Sequence, residues 1–388
     1  MKIVRIVEQP IRLASNISNA LVNFSEHTVS LLALVTDQLI DGKPAVGLAF
    51  NSIGRYAQSG IIRDRMVPRL MAADPATLLQ DSGDRLCPRK VLACVMRNEK
   101  PGGHGDRAQA ASALELAVWD LNAKLDGEPA SATIARYFGR DARSEQVAVY
   151  AAGGYYYDGE DQSKLVHELT AYRERGFDRF KIKIGGAPLA QDLARIDAAL
   201  SVAGTGSQLA VDANGRFDLD TALAYGGALE PYDLLWFEEP GDPLDLALHA
   251  TLAEAYGGTL ATGENLFSHQ DVNNLVRFGG PRRRRDVFQM DPGLSYGVSE
   301  YARMLTVLEA AGFDRRQCLP HGGQLIGLHV VSGLNLGGTE VYPNVFQPLG
   351  GFADDTRIDD GFVRVPDAPG FGFEQKSDLI HEFTRLLA

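Results

Sequence analysis

Long apolar runs are absent from the chain: no stretch approaches the ~18 residues that a membrane span needs. Positive charge is scarce too, with 38 Lys and Arg against 50 Asp and Glu and a formal charge of -12. That balance argues against a nucleic-acid surface and against an anionic membrane patch. Cysteines are few and odd in number (Cys87, Cys94 and Cys318), so no disulfide framework is expected and a reduced, cytoplasmic setting follows. The opening residues Met1–Glu8 are too charged for a secretory leader. Collagen-like and low-complexity periods are also missing, so the 41 glycines must serve many separate turns. What remains is a globular composition, 45% hydrophobic and 23% charged over 388 residues, long enough for two or three domains.

The two parts of the chain differ in rhythm. Lys2–Leu13, Thr28–Thr36 and Ala45–Phe50 read as an antiparallel sheet with Asp41-Gly42 in its second turn. Helices are expected over Ser59–Met71, Pro75–Leu79 and Ala108–Leu125, which makes an α+β unit. From Val147 onward short apolar runs alternate with amphipathic stretches such as Gln162–Arg175 and Gly297–Ala311. The runs are Val147–Ala152, Arg179–Ile184, Gln208–Asp212, Leu234–Glu238, Thr259–Glu264, Asp286–Asp291, Gln317–His321 and Gly338–Tyr342. Eight such strands over about two hundred residues suit a closed parallel barrel better than an open sheet. Gly361–Val365 and a helix over Gln375–Leu387 close the chain. The layout expected is an N-terminal α+β cap at 1–126, a barrel at 127–352, and a 353–388 piece that packs back on the cap. Arg282–Arg285 reads as a solvated loop before a strand.

Acidic residues sit at the ends of three successive strands. Asp212, Glu238 and Glu264 are spaced 26 residues apart, about one β/α unit each. In a barrel such ends are neighbours around one rim, where convergent carboxylates repel unless a cation lies between them. Three oxygen ligands with open positions suit Mg²⁺. One strand upstream, Lys181 and Lys183 share a face and should disfavour each other's charge, so that one can act as a general base. His321 ends a later strand, and Asp291 on the preceding one should orient its ring and favour the cation. Cys318 is expected to be a buried, inert thiol.

Together these motifs resemble the enolase superfamily, specifically its mandelate racemase-like group. They are Lys181–Lys183, Val211–Asn214, Phe237–Pro240, Gly263–Asn265, Gln289–Asp291, His321 and Val365–Gly372, in order over nearly the whole chain. The resemblance implies a (β/α)7β barrel, a modified TIM barrel, beneath an α+β capping domain. It implies that Asp212, Glu238 and Glu264 bind Mg²⁺, which holds a substrate carboxylate. Lys183 or His321 would remove the adjacent proton, Lys181 would sit by the carboxylate, and metal-assisted enolate chemistry of this superfamily is itself a standard example. Glu340 matches a position near the substrate carboxylate.

For the reaction, the resemblance leaves a dehydratase of a hydroxy-dicarboxylic acid, another acid-sugar dehydratase, or a 2-hydroxy-acid racemase. Cap loops Ala14–His27 and Asn51–Gln58 are expected to cover the site. Asn16, Asn19, Asn23, Arg55 and Tyr56 make those loops polar, which favours a polyhydroxylated acid. Arg55, Tyr56 and Asn214 are candidate substrate contacts. So is Lys100, which with His104 lies in the glycine-rich segment Arg97–Asp106 and would pair with a second carboxylate. A small hydroxy acid is the expected partner, with no nucleic acid or membrane, and the group's habits imply a homo-oligomer. A phosphate-binding barrel or a non-catalytic scaffold would leave the intact carboxylate triad unexplained.

Overall fold

A computed structural model describes residues 1–157 and 161–388. The N-terminal sheet pairs β1 (Ile3–Arg12), β2 (Thr28–Ile40) and β3 (Lys43–Phe50) antiparallel in the order β1-β2-β3. Asp41 and Gly42 both take positive φ, the two-residue turn that matches strand twist. The tightness of that turn lets pairing resume beyond an irregularity after Val35, so β2 runs past the expected Thr36. Behind the sheet lies the helix Asp106–Asp126, buried on nearly all sides and lined with alanines. β3 approaches it so closely that a Cβ on Gly47 would lie 2.0 Å from the Ala117 carbonyl oxygen.

Two helices escape the hydrophobic pattern, Pro88–Val95 and Ala130–Tyr137. Pro88 at the first helical position was the readable sign of one of them. The expected helix Ser59–Met71 forms over its whole length and widens to π-helical turns at Ile62–Met66.

The second part closes into a ring of parallel strands. β4 (Gln146–Ala152), β5 (Phe180–Lys183), β6 (Leu209–Asp212), β7 (Trp236–Glu238), β8 (Leu260–Thr262) and β9 (Val287–Phe288) pair in chain order. The seventh position is not the regular strand expected over Gln317–His321. It is a single bridge from Cys318 to Phe288, and Pro320 has no N–H to offer on the β10 side, where its carbonyl accepts the Glu340 N–H. β10 (Thr339–Val341) then pairs with β4 and completes a (β/α)7β barrel. The hairpin β11 (Ile358–Asp359) and β12 (Phe362–Arg364) adds antiparallel to β4, and the helix Ser377–Leu387 packs on β2. Arg282, expected in a solvated loop, instead grips Asp286 and the Tyr256 and Gly258 carbonyls.

The cap reaches the barrel mouth through the segment after β1. Ala14 bridges to Gln347 and Ser18 to Tyr156, while Phe24 sets its edge on Tyr155 and Phe346. Asp120, fully buried, ties the parts from below by accepting the Leu48 and Phe371 N–H groups and pairing with Lys124 at 2.6 Å. Asp120→Ala would leave two buried N–H groups unpaired and take from the Lys124 ammonium one of its two carboxylate partners, Glu374 remaining at 2.6 Å. It is expected to cost about 3 kcal/mol and lower the thermal midpoint; an unchanged midpoint would contradict this role.

Candidate active site

Register puts the first two acidic residues side by side. Lys183 pairs with Asp212 across β5 and β6, and Asp212 with Glu238 across β6 and β7. The third arrives differently. Glu238 pairs with Ala261, so equal spacing in sequence is not equal register, and Glu264 lies beyond the end of β8. Gly263 makes the correction with φ +130, in a place where a Cβ would sit 2.9 Å from the Gln289 amide nitrogen. One oxygen each of Asp212, Glu238 and Glu264 then lie within 4.8 Å of one another.

Burial makes this crowding expensive. Burial and the Asp212 carboxylate push Glu238 up to about 8. Burial opposes charge on Asp212 as well, but the Lys183 and Lys181 ammoniums hold it down at about 2. The lysines do not simply repel each other, as their spacing suggested. Lys181 Nζ lies 2.6 Å from Glu238 and 2.7 Å from Glu340, and these carboxylates outweigh burial and raise its pKa well above the ordinary range. Lys183 Nζ lies 2.5 Å from Asp212 Oδ2. Glu264 is the least engaged of the three, with one long bond from Asn265 Nδ2 at 3.4 Å. Three converging carboxylates form a hard oxygen set that fits a small divalent cation.

On the far side of β4 and β10 from Lys183, His321 Nδ1 sits 3.0 Å from Asp291 Oδ2. Asp291 in turn accepts the Ser52 hydroxyl at 2.5 Å and the Gly293 N–H at 2.6 Å. Burial disfavours the imidazolium, yet His321 is raised to about 10, with Glu264 contributing most and Asp291 next. Glu340 is fully buried, accepts the Gly322 N–H at 3.1 Å, and is held below its ordinary value against burial by Lys181 and His321.

The remaining sequence candidates separate. Asn214 donates from its backbone and side chain to Asp212 at 2.8 and 3.2 Å, so its amide group holds a carboxylate of the triad. Arg55 donates to Asn265 Oδ1 at 2.9 Å beside the rim and lies over the Phe267 ring. Tyr56 is 54% exposed, and its ring rests on His27. Lys100 does not join the cluster. It lines a separate cavity of about 670 Å³ with Met96, Ser299 and Arg303. The physical reason is Arg107, which pulls the loop down by donating to the Lys100 and Gly102 carbonyls. His104 is likewise committed, bridging Tyr296 and Ser268.

Sequence reasoning missed four groups here. Ser52 and Gln324, bonded to each other at 2.9 Å, support Asp291 from distant parts of the chain. Glu239 is buried at φ +36, its two oxygens held by Asn265 Nδ2 at 3.1 and 3.0 Å. Tyr342, whose hydroxyl is 3.0 Å from His321 Nε2, lies just beyond the end of β10, two residues past Glu340.

Residues 164–379, more than half of the chain, match the family described as enolase C-terminal domain-like. The L-talarate/galactarate dehydratase of Salmonella typhimurium is 29% identical over 86% of this chain and 77% of its own length. The arabinonate dehydratase of Saccharolobus solfataricus is 30% identical over 73% of this chain and 74% of its own. Among solved structures, the L-talarate dehydratase of Polaromonas sp. JS666, complexed with Mg and L-glucarate, superposes with a TM-score of 0.75 at 25% identity, over 95% of this chain and 92% of that one.

Mg²⁺ is expected to raise the thermal midpoint of the protein through preferential binding to the folded state. Glu264→Gln, the least disruptive change in the triad, is expected to abolish that rise. An equal rise in the variant would place the ion elsewhere.

Proposed function

The chain belongs to the enolase superfamily, and from that premise we propose that it is a Mg²⁺-dependent hydro-lyase that dehydrates a hydroxy-dicarboxylic acid, D-tartrate to oxaloacetate and water. The observation that carries the reading is the joint placement of a three-carboxylate cluster, Lys183 beside it, and His321 paired with Asp291 across the mouth. Dehydratase relatives of acid sugars support the reaction class. The polar cap loops and the short, crowded site support a small hydroxylated diacid.

In this reading Asp212, Glu238 and Glu264 hold Mg²⁺. Bound there, the ion supplies a Lewis acid that holds the substrate carboxylate and offsets the charge that develops on it. Lys183 Nζ takes the proton from the carbon beside that carboxylate. Lys181, kept cationic by Glu238 and Glu340, is placed to hold a carboxylate oxygen. His321, protonated and oriented by Asp291, gives its proton to the hydroxyl leaving the next carbon, which departs as water. The enol that remains tautomerises to the oxo acid. A racemase would use the same base and keep the hydroxyl; His321, oriented by Asp291 across the mouth from Lys183, favours elimination.

The same reading takes residues 1–126 as the cap, 127–352 as the barrel and 353–388 as the returning piece, supported by the terminal helix against β2. Among the described residues no helix is long and apolar enough to cross a membrane. Arg55 and Asn214 stand nearest the triad among the proposed substrate contacts, and Lys100 is not carried forward.

Incubating the purified protein with Mg²⁺ and a panel of tartrate isomers and acid sugars is expected to yield oxaloacetate from D-tartrate. Turnover of a sugar acid without any tartrate isomer would overturn the substrate and leave the reaction class. Lys183→Ala is expected to lower α-proton exchange in deuterium oxide by about 10²–10⁴-fold; full exchange in that variant would contradict its role as base.

A further inference from the structure

His321 is gripped at both ring nitrogens. Asp291 holds Nδ1, and the Tyr342 hydroxyl lies 3.0 Å from Nε2, the edge that faces the carboxylates. That edge has competing attractions: Glu264 Oε2 lies 3.6 Å away and Glu340 Oε2 3.9 Å away. The Tyr342 oxygen lies closer to Nε2 than either carboxylate does.

The phenol is built in rather than incidental. Its ring is 2% exposed and meets Phe346 edge-on at 4.8 Å. Gly323 makes room for it, since a Cβ there would lie 2.4 Å from the ring, and the Tyr342 N–H donates to the Gly323 carbonyl. Tyr342 directly follows β10 (Thr339–Val341), so the residue that fixes His321 comes straight after the element that carries Glu340.

We propose that Tyr342 is a positioning residue for the acid step: its hydroxyl keeps His321 Nε2 directed at the leaving hydroxyl and off the Glu264 and Glu340 carboxylates. This rests on the dehydratase reading above. The step it serves is balanced, with the Nε2–H proton joining the departing hydroxide as the C–O bond breaks and the electrons of the abstracted C–H bond forming the new C=C bond. Proton abstraction at Lys183 lies elsewhere in the site and does not require the phenol. Tyr342 therefore serves the second half of the reaction and not the first.

Tyr342→Phe keeps the ring and its packing and removes only the hydroxyl. Expected is a fall in product formation of about tenfold to a hundredfold, with KM and α-proton exchange in deuterium oxide held within about threefold. The ¹⁵N resonance of His321 Nε2 in the substrate-free variant is expected to move, its assignment being made with His321→Asn. Unchanged product formation, or exchange and product formation falling together, would overturn the proposal. So would an unmoved resonance. A parent protein inert toward every acid tested would instead sink the functional reading, and the resonance alone would then decide whether Tyr342 holds His321.

Discussion

Mutual repulsion among buried carboxylates is the constraint on which the rest of this structure turns. Asp212, Glu238, Glu239 and Glu340 are all buried at the barrel mouth, with Glu264 completing the group at its edge. Such an arrangement costs too much free energy to stand uncompensated. Lys181 and Lys183 supply part of the compensation, and they do so unequally. Lys181 is locked between two carboxylates, whereas Lys183 has one close partner, Asp212, which is itself a proposed metal ligand. A dication among the triad would compete with Lys183 for that partner. The unequal engagement of the two lysines thus follows from which carboxylates each one touches.

The cap contributes more than a cover. Ser52, from the loop after β3, bonds directly to Asp291, and Asp291 orients His321. Arg55 from the same loop holds Asn265, whose amide spans Glu239 and approaches Glu264. The second loop enters through Ser15, whose hydroxyl accepts the Phe346 N–H at 2.6 Å, and through Phe24 on Tyr155. Acid, triad rim and aromatic wall are therefore each braced by residues of the N-terminal unit. Changes in how the cap seats on the barrel should reach the chemistry by these contacts.

Much of this was legible because strands have a strict period. Lys181 and Lys183 fall on one face of β5, and the 26-residue step from Asp212 to Glu238 is a true register pair. The same step to Glu264 gave the right residue for an incomplete reason, since a left-handed turn at Gly263 brings it into place. Loops were harder to read. Lys100 and His104 looked poised for a substrate, yet Arg107, Tyr296 and Ser268 claim that segment through contacts that no local pattern reveals. Ser52 and Gln324 carried no signal at all, being 272 residues apart in the chain. Helix Ala130–Tyr137 is only eight residues long, too short to show a clear helical period in the sequence.

In the proposed reading the three carboxylates form one divalent-cation site beside Lys183. The most direct measurement is an anomalous difference map from crystals of the protein grown with Mn²⁺ in place of Mg²⁺. A single strong peak within bonding distance of Asp212, Glu238 and Glu264 is predicted, with Lys183 released from Asp212. A map without density among these oxygens, or with the ion held by other residues, would contradict the account.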